Sequence, residues 1–122
     1  MNRSELSNKI IQWSHRNDLG AQIDQFIDNT TYRLNSRLGK DYTLTGGSAE
    51  NEVSTYYPMI YIYGALREMC IYINDGPGAR SYDELWDKEV NNLEITAQQG
   101  SFKGDTAPPI LSEYEQEVLN AT

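Results

Sequence analysis

Pro58-Met59-Ile60-Tyr61-Ile62-Tyr63-Gly64-Ala65-Leu66-Arg67-Glu68-Met69-Cys70-Ile71-Tyr72-Ile73 is the most apolar run of the chain, and its reading decides the fold. Met59, Ile60, Ile62, Leu66, Met69, Cys70, Ile71 and Ile73 cover more than one face of a helix, so a helix built from them packs on several sides. Ser54 is the expected N-cap, which puts Pro58 in the first turn, where a missing amide proton costs little. Gly64-Ala65 lets a neighbouring backbone come close, at some cost in helix propensity. The run is shorter than the roughly 20 apolar residues that span a bilayer and carries Arg67 and Glu68 in its middle, so it reads as a buried core helix. Cys70, the single cysteine, sits inside it as a small hydrophobe, cannot form an internal disulfide, and fits a reducing cytoplasm.

On the N-terminal side, Ser4 is a plausible cap for a first helix in which Leu6, Ile10 or Ile11, and Trp13 recur until about Arg16. Asn17-Asp18 reads as a turn or a new cap. A longer second helix follows, with Ile23, Phe26, Ile27, Thr30, Leu34 and Leu38 on one side and Asp24, Gln25, Asp28, Asn29, Arg33, Asn35 and Arg37 on the other. Gly39 ends it, where a left-handed residue is cheapest. From Lys40 to Val53 the alternation of Tyr42-Thr43-Leu44-Thr45, followed by Gly46-Gly47, predicts an exposed loop or small β-hairpin.

On the C-terminal side, Asn74-Asp75-Gly76-Pro77-Gly78 is the strongest turn signal, and Ser81-x-x-Glu84 predicts a capping box. Leu85, Trp86, Glu89, Leu93 and Ala97 phase a fourth helix closing near Gly100, with Leu85, Trp86 and Leu93 on its buried side. Beyond Gly100, Gly104, Ala107 and Pro108-Pro109 interrupt any helix, and Ile110, Leu111, Tyr114, Val118 and Leu119 are scattered among acids, as in a tail that orders against a partner. The expectation is a mainly α protein: a four-helix bundle over residues 1–100 with a short loop or β-hairpin between the second and third helices, and an extended tail over 101–122.

A chain of 122 residues with net charge −8 supports one core under a strongly polar surface. The excess of acids argues against binding DNA through its phosphates, which needs a surface lined with Lys and Arg, and disfavours anionic membranes for the same reason. The start Met1-Asn2-Arg3-Ser4-Glu5 lacks the apolar run of a secretory signal, so no export is expected.

Little catalytic chemistry is on offer. His15 is the only histidine, which excludes a histidine-based metal cluster and leaves any Ser or Cys triad resting on that one residue. No phosphate-binding loop or dinucleotide fingerprint is present, and Gly46-Gly47 and Gly76-Pro77-Gly78 read as turns. Asp83, Glu84 and Asp87 are general acid-base or calcium-ligand candidates by type, yet they follow no EF-hand spacing and suit the positive end of a helix dipole. No enzyme and no cofactor are expected. Tyrosine is the compositional oddity: of nine, Tyr56, Tyr57, Tyr61, Tyr63 and Tyr72 lie on or beside the third helix. A ring with a polar hydroxyl suits an interface that is half apolar and half wet. Tyr56 and Tyr57 fit an interface or a core equally, whereas Tyr61 and Tyr63 fit the core.

The order of these signals resembles a known family. Ser4-Glu5-Leu6 through Ile11, Trp13 and His15-Arg16-Asn17-Asp18-Leu19, then Ile23, Phe26-Ile27 and Arg33-Leu34-Asn35-Ser36-Arg37-Leu38, is similar to the opening of head-to-tail adaptor proteins of short-tailed bacteriophages. Tyr57-Pro58 through Tyr61-Ile62-Tyr63-Gly64-Ala65-Leu66-Arg67-Glu68, Tyr72-Ile73-Asn74-Asp75 and Leu85-Trp86 to Leu93 resemble that family's Pro-x-x-Tyr-x-Tyr-Gly-Ala-Leu helix and the helix after it. The resemblance spans Ser4 to about Ala97. It departs in one place, since the family usually carries a longer β-rich insertion where only Lys40 to Val53 stands here.

The resemblance implies a homo-oligomeric ring, around twelve-fold, between the portal protein and a tail or nozzle protein in the virion neck, assembled in the host cytoplasm. DNA would pass through its channel, in a role tied to genome packaging, without specific binding, and no membrane would be involved. Candidate interface residues are Tyr42 and Leu44 in the loop, Tyr56 and Tyr57, and Phe102, Ile110, Leu111 and Tyr114 in the tail. The alternative is an acidic helical interaction module, regulatory or antitoxin-like, that binds a basic partner and forms no ring.

Overall fold

In the computed structural model, which describes residues 1–98, five α-helices and one 3-10 turn follow one another without a β-strand among the described residues. They are α1 (Arg3–Ser14), the 3-10 turn Asn17–Gln22, α2 (Ile23–Leu38), α3 (Glu52–Tyr56), α4 (Pro58–Tyr72) and α5 (Gly76–Gln98). The mainly α expectation holds. By its contacts the chain divides into Met1–Glu89 and Val90–Thr122, with the boundary inside α5. In the second unit Val90 and Leu93 are buried and Ile95 is exposed.

α4 is the central element of the first unit, in contact with α1, α2 and α3. Ile60, Tyr61, Ile62, Ala65, Leu66, Met69 and Cys70 are all buried, and they meet a core of Leu6, Ile10, Ile23, Phe26, Ile27, Leu34 and Val53. Each fully buried aliphatic side chain of this kind contributes about 1.5–3 kcal/mol. Gly64 is where α2 comes closest: a Cβ there would overlap the side chain of Thr30, whose Oγ1 would lie 2.8 Å away.

Three helix starts differ from the sequence reading. α1 is capped by Asn2 rather than Ser4: the Asn2 side chain accepts from the Glu5 amide at 2.9 Å while the Glu5 carboxylate accepts from the Asn2 amide at 2.8 Å. Asn2-x-x-Glu5 is itself a capping box, and it wins because both orphan amides are satisfied at once. The helix expected from Ser54 is broken in two. Asn51 caps α3 with Ser54 as its reciprocal partner, and Tyr57 leaves the helical region at φ −135° because a residue before proline is pushed out of it. Pro58 then opens α4 as expected. α5 starts at Gly76, ahead of Ser81, since Asp75 accepts from the Gly78 amide at 2.9 Å and takes the capping role. Gly78 is required there, because a Cβ would meet the Asp75 carboxylate and the Cys70 thiol. Gly39, at φ +70°, closes α2 as the sequence predicts.

Residues 40–53 form no hairpin. Tyr42 and Leu44 point inward and Thr43 and Thr45 outward, the alternation of a strand, but their backbone groups are met by side chains instead of a partner strand. The Tyr42 amide donates to Asn35 Oδ1 at 2.7 Å, and the Tyr42 carbonyl accepts from Asn51 Nδ2 at 2.8 Å and from the Tyr61 hydroxyl at 2.7 Å. The Leu44 carbonyl accepts from Arg3 Nη1 at 2.9 Å, and the Ser4 amide donates to the Gly47 carbonyl at 2.9 Å. Arg3 also pairs with Asp24 and Asp28 at 3.2 and 2.9 Å, so one guanidinium ties the loop to α1 and α2.

Burial, relieved partly by the Asn51 amide, pushes the Tyr61 hydroxyl up to about 12. The neutral phenol is therefore favoured by folding. Its contribution is complete below the ordinary value near 10 and is lost as pH rises from about 10 towards 12. Tyr61→Phe is expected to cost about 1–2 kcal/mol at neutral pH and to flatten part of the loss of stability in that alkaline window. Denaturation curves at pH 7, 10 and 11.5 check this; equal alkaline slopes in both chains would contradict it.

Candidate interaction surfaces

Tyr42 and Leu44, expected on an exposed loop, are buried at 9% and 2% exposure, so their side chains anchor the loop instead of presenting it. Tyr56 is exposed on α3, and Tyr57 is half-buried at the α3 to α4 junction. Phe102, Ile110, Leu111 and Tyr114 lie outside the described residues. Tyr61 is fully buried as expected, and Tyr63 is half-buried. Leu85, expected on the buried side of α5, is 39% exposed, because Trp86 alone of that pair turns inward.

Several apolar side chains face solvent, among them Trp13, Ile71 and Ile73, which the helical spacing had placed on packed faces. Tyr32 is 76% exposed: it falls one turn after Asp28, on the polar side of α2, and that phase was the available signal. Ile71, Tyr72 and Ile73 are exposed at the end of α4, with the Tyr72 ring edge-on to Phe26 at 5.6 Å. Trp13 is also exposed, and from it three rings from α1, α4 and α5 follow one another in contact: Trp13 meets Tyr63 edge-on at 6.2 Å, and Tyr63 stacks with Tyr82 at 6.4 Å.

Of the α5 acids that are general acid-base candidates by type, Asp83 and Asp87 are ion-paired. Arg33 and Arg37 on α2, four residues apart, face Asp83 and Asp87 on α5, also four apart, at 2.7 and 2.5 Å. Arg67 joins them at 3.1 Å from Asp83 and 2.7 Å from Glu68. The Arg33 guanidinium lies 4.1 Å over the ring of Trp86. With Asp83 and Asp87 held as counter-ions, this seam fastens α5 to α2.

A groove of about 700 Å³ opens between α1, α2 and the loop, lined by Arg3, Ser4, Asn8, Asp24, Asp28 and Thr45. Its one cation is already matched by the two aspartates. His15 occupies the left-handed C-cap of α1 at φ +57°. The Cys70 thiol is pushed up by burial and by the nearby Asp75 carboxylate, which keeps it protonated and unreactive at neutral pH. Among the described residues no group of three His, Cys, Asp or Glu side chains could hold a metal, and no helix is long and apolar enough to cross a membrane. Comparison with family models, with curated proteins and with solved structures returns no match.

Proposed function

We propose that the chain is a shortened head-to-tail adaptor: a ring protomer, around twelve-fold, that seats on the portal and offers a docking surface to the tail while DNA passes through the channel. The observation that carries this reading is the Pro-x-x-Tyr-x-Tyr-Gly-Ala-Leu resemblance over Pro58 to Leu66, which falls in the helix that α1, α2 and α3 surround. Its role is then a scaffold that holds variable edges in place. Ile71, Tyr72 and Ile73, exposed one after another at the end of α4, support it, because a contiguous apolar patch on a small acidic domain suits burial between subunits.

The work in this reading is assembly and not catalysis. At −8 per copy, about twelve copies bring roughly −100 to a ring, and an acidic lumen repels phosphate and leaves the duplex free to slide. The stretch after Gly100, outside the described residues, would supply contacts to a neighbouring subunit or the portal. Purified chain mixed with its cognate portal and imaged by negative stain tests the reading directly. Axial rings stacked on the portal are the expected result; a chain that stays monomeric beside the portal at micromolar concentration points to an acidic interaction module instead.

A further inference from the structure

The Trp13, Tyr63 and Tyr82 line is contributed by three separate helices and offers an exposed indole followed by two half-buried phenol rings, with centroid steps of 6.2 and 6.4 Å. A surface of this kind recognises a segment that needs no hydrogen-bond ladder and loses little entropy on docking. Polyproline-like segments meet both conditions: φ is fixed in advance, the pyrrolidine rings pack on aromatic faces, and the free carbonyls accept from tyrosine hydroxyls at the rim. The chain contains a single Pro-Pro step, Pro108-Pro109, followed at once by the apolar Ile110-Leu111.

We propose that Pro108-Pro109 of one copy docks on the Trp13, Tyr63 and Tyr82 line of the next, an inference that rests on the ring reading above. A ring is closed by a heterologous contact, one face of each protomer meeting a different part of its neighbour. The aromatic line and the Pro-Pro segment are two such unlike halves on one chain. Nine residues lie between Gln98 and Pro108, and the ten-residue step from one to the other covers up to about 33–36 Å when extended, about the diameter of a small domain.

The test uses the full chain. In a Pro108→Ala/Pro109→Ala chain the line is left open, so a synthetic peptide of residues 103–115 added to it should shift Trp13 fluorescence saturably. Carrying Trp13→Phe in the same chain separates this signal from Trp86. Binding is expected to weaken at least tenfold when the peptide carries Ala-Ala, or when the receiving chain carries Tyr82→Ala with unchanged helicity. By sedimentation, Pro108→Ala/Pro109→Ala should raise the concentration for self-association at least tenfold. Peptide binding without any ring on the portal would retire the ring reading and keep this contact. Rings that form as readily with Ala-Ala as with Pro-Pro would overturn this contact and keep the ring reading. A Trp13 signal in the unaltered chain that responds to Pro108 and Pro109 but not to dilution would place the segment on its own copy, and would equally overturn the proposal.

Discussion

Chemical denaturation of a Trp86→Ala chain is expected to show a loss of about 3–5 kcal/mol. Trp86 is 1% exposed and is the largest fully buried side chain among the described residues, so truncation leaves a cavity that its neighbours cannot close. The ring is also the platform for Arg33 at 4.1 Å, with Arg37 further out at 5.7 Å, and a stacked cation adds about 0.5–2 kcal/mol when partly desolvated. Against a typical total of about 5–15 kcal/mol this is a large fraction, and Trp86→Ala should melt many degrees below the parent. Leu85→Ala, next to it but 39% exposed, serves as the contrast and should change stability by less than about 1 kcal/mol. Similar losses at the two positions would mean that the α5 seam is held by its ion pairs and not by the buried indole.

Gly64→Ala should destabilise by about 2–3 kcal/mol even though alanine is the better helix former. The added methyl collides with Thr30, whose branched side chain has little freedom to turn away inside α2. Thr30 Oγ1 is buried without a hydrogen-bond partner, so Thr30→Ala gives up no bond and opens the needed space. In that background Gly64→Ala is expected to change sign and stabilise by up to about 1 kcal/mol, the ordinary propensity gain. A double-mutant cycle read by denaturant unfolding measures the coupling. Additive effects would show that α2 and α4 are not in contact through this pair.

The helix that opened the sequence reading is found at Pro58–Tyr72, and Gly39 and Gly64 do the work their neighbours suggested. These features were legible because each is local: a proline start, a left-handed stop, a run too apolar for a surface. The misplaced starts of α1, α3 and α5 share one cause. Ser4, Ser54 and Ser81 are competent caps, but Asn2, Asn51 and Asp75 stand two to six residues ahead of them and reach the amides first. The loop was misread for a different reason. An alternation of two fits a strand, and equally an extended segment laid on helices, and only the partners of Tyr42 and Leu44 tell them apart. Those partners lie outside the alternating stretch: Asn35 and Asn51 are seven and nine residues from Tyr42, Tyr61 is 19 away, and Arg3 is 41 from Leu44. The candidate surfaces were the least legible part, since exposure of Tyr32 or Leu85 depends on which of two adjacent residues a helix turns inward.

The fastening of residues 40–53 by side chains has a consequence for how such a chain changes length. A hairpin lengthens in register, pair by pair, and a single extra residue flips every side chain that follows. Here the incoming limb is fixed by Asn35 and Arg3, and the outgoing limb by the Gly47 and Ala49 carbonyls, which accept from the Ser4 and Arg3 amides, and by the Asn51 cap of α3, with exposed Thr45 and Gly46 between the anchors. Extra chain spliced among those exposed positions adds closure entropy that grows only with the logarithm of its length and displaces no anchored residue. The segment is therefore a splice point, at which added chain can be accommodated while the helices beneath it keep their packing.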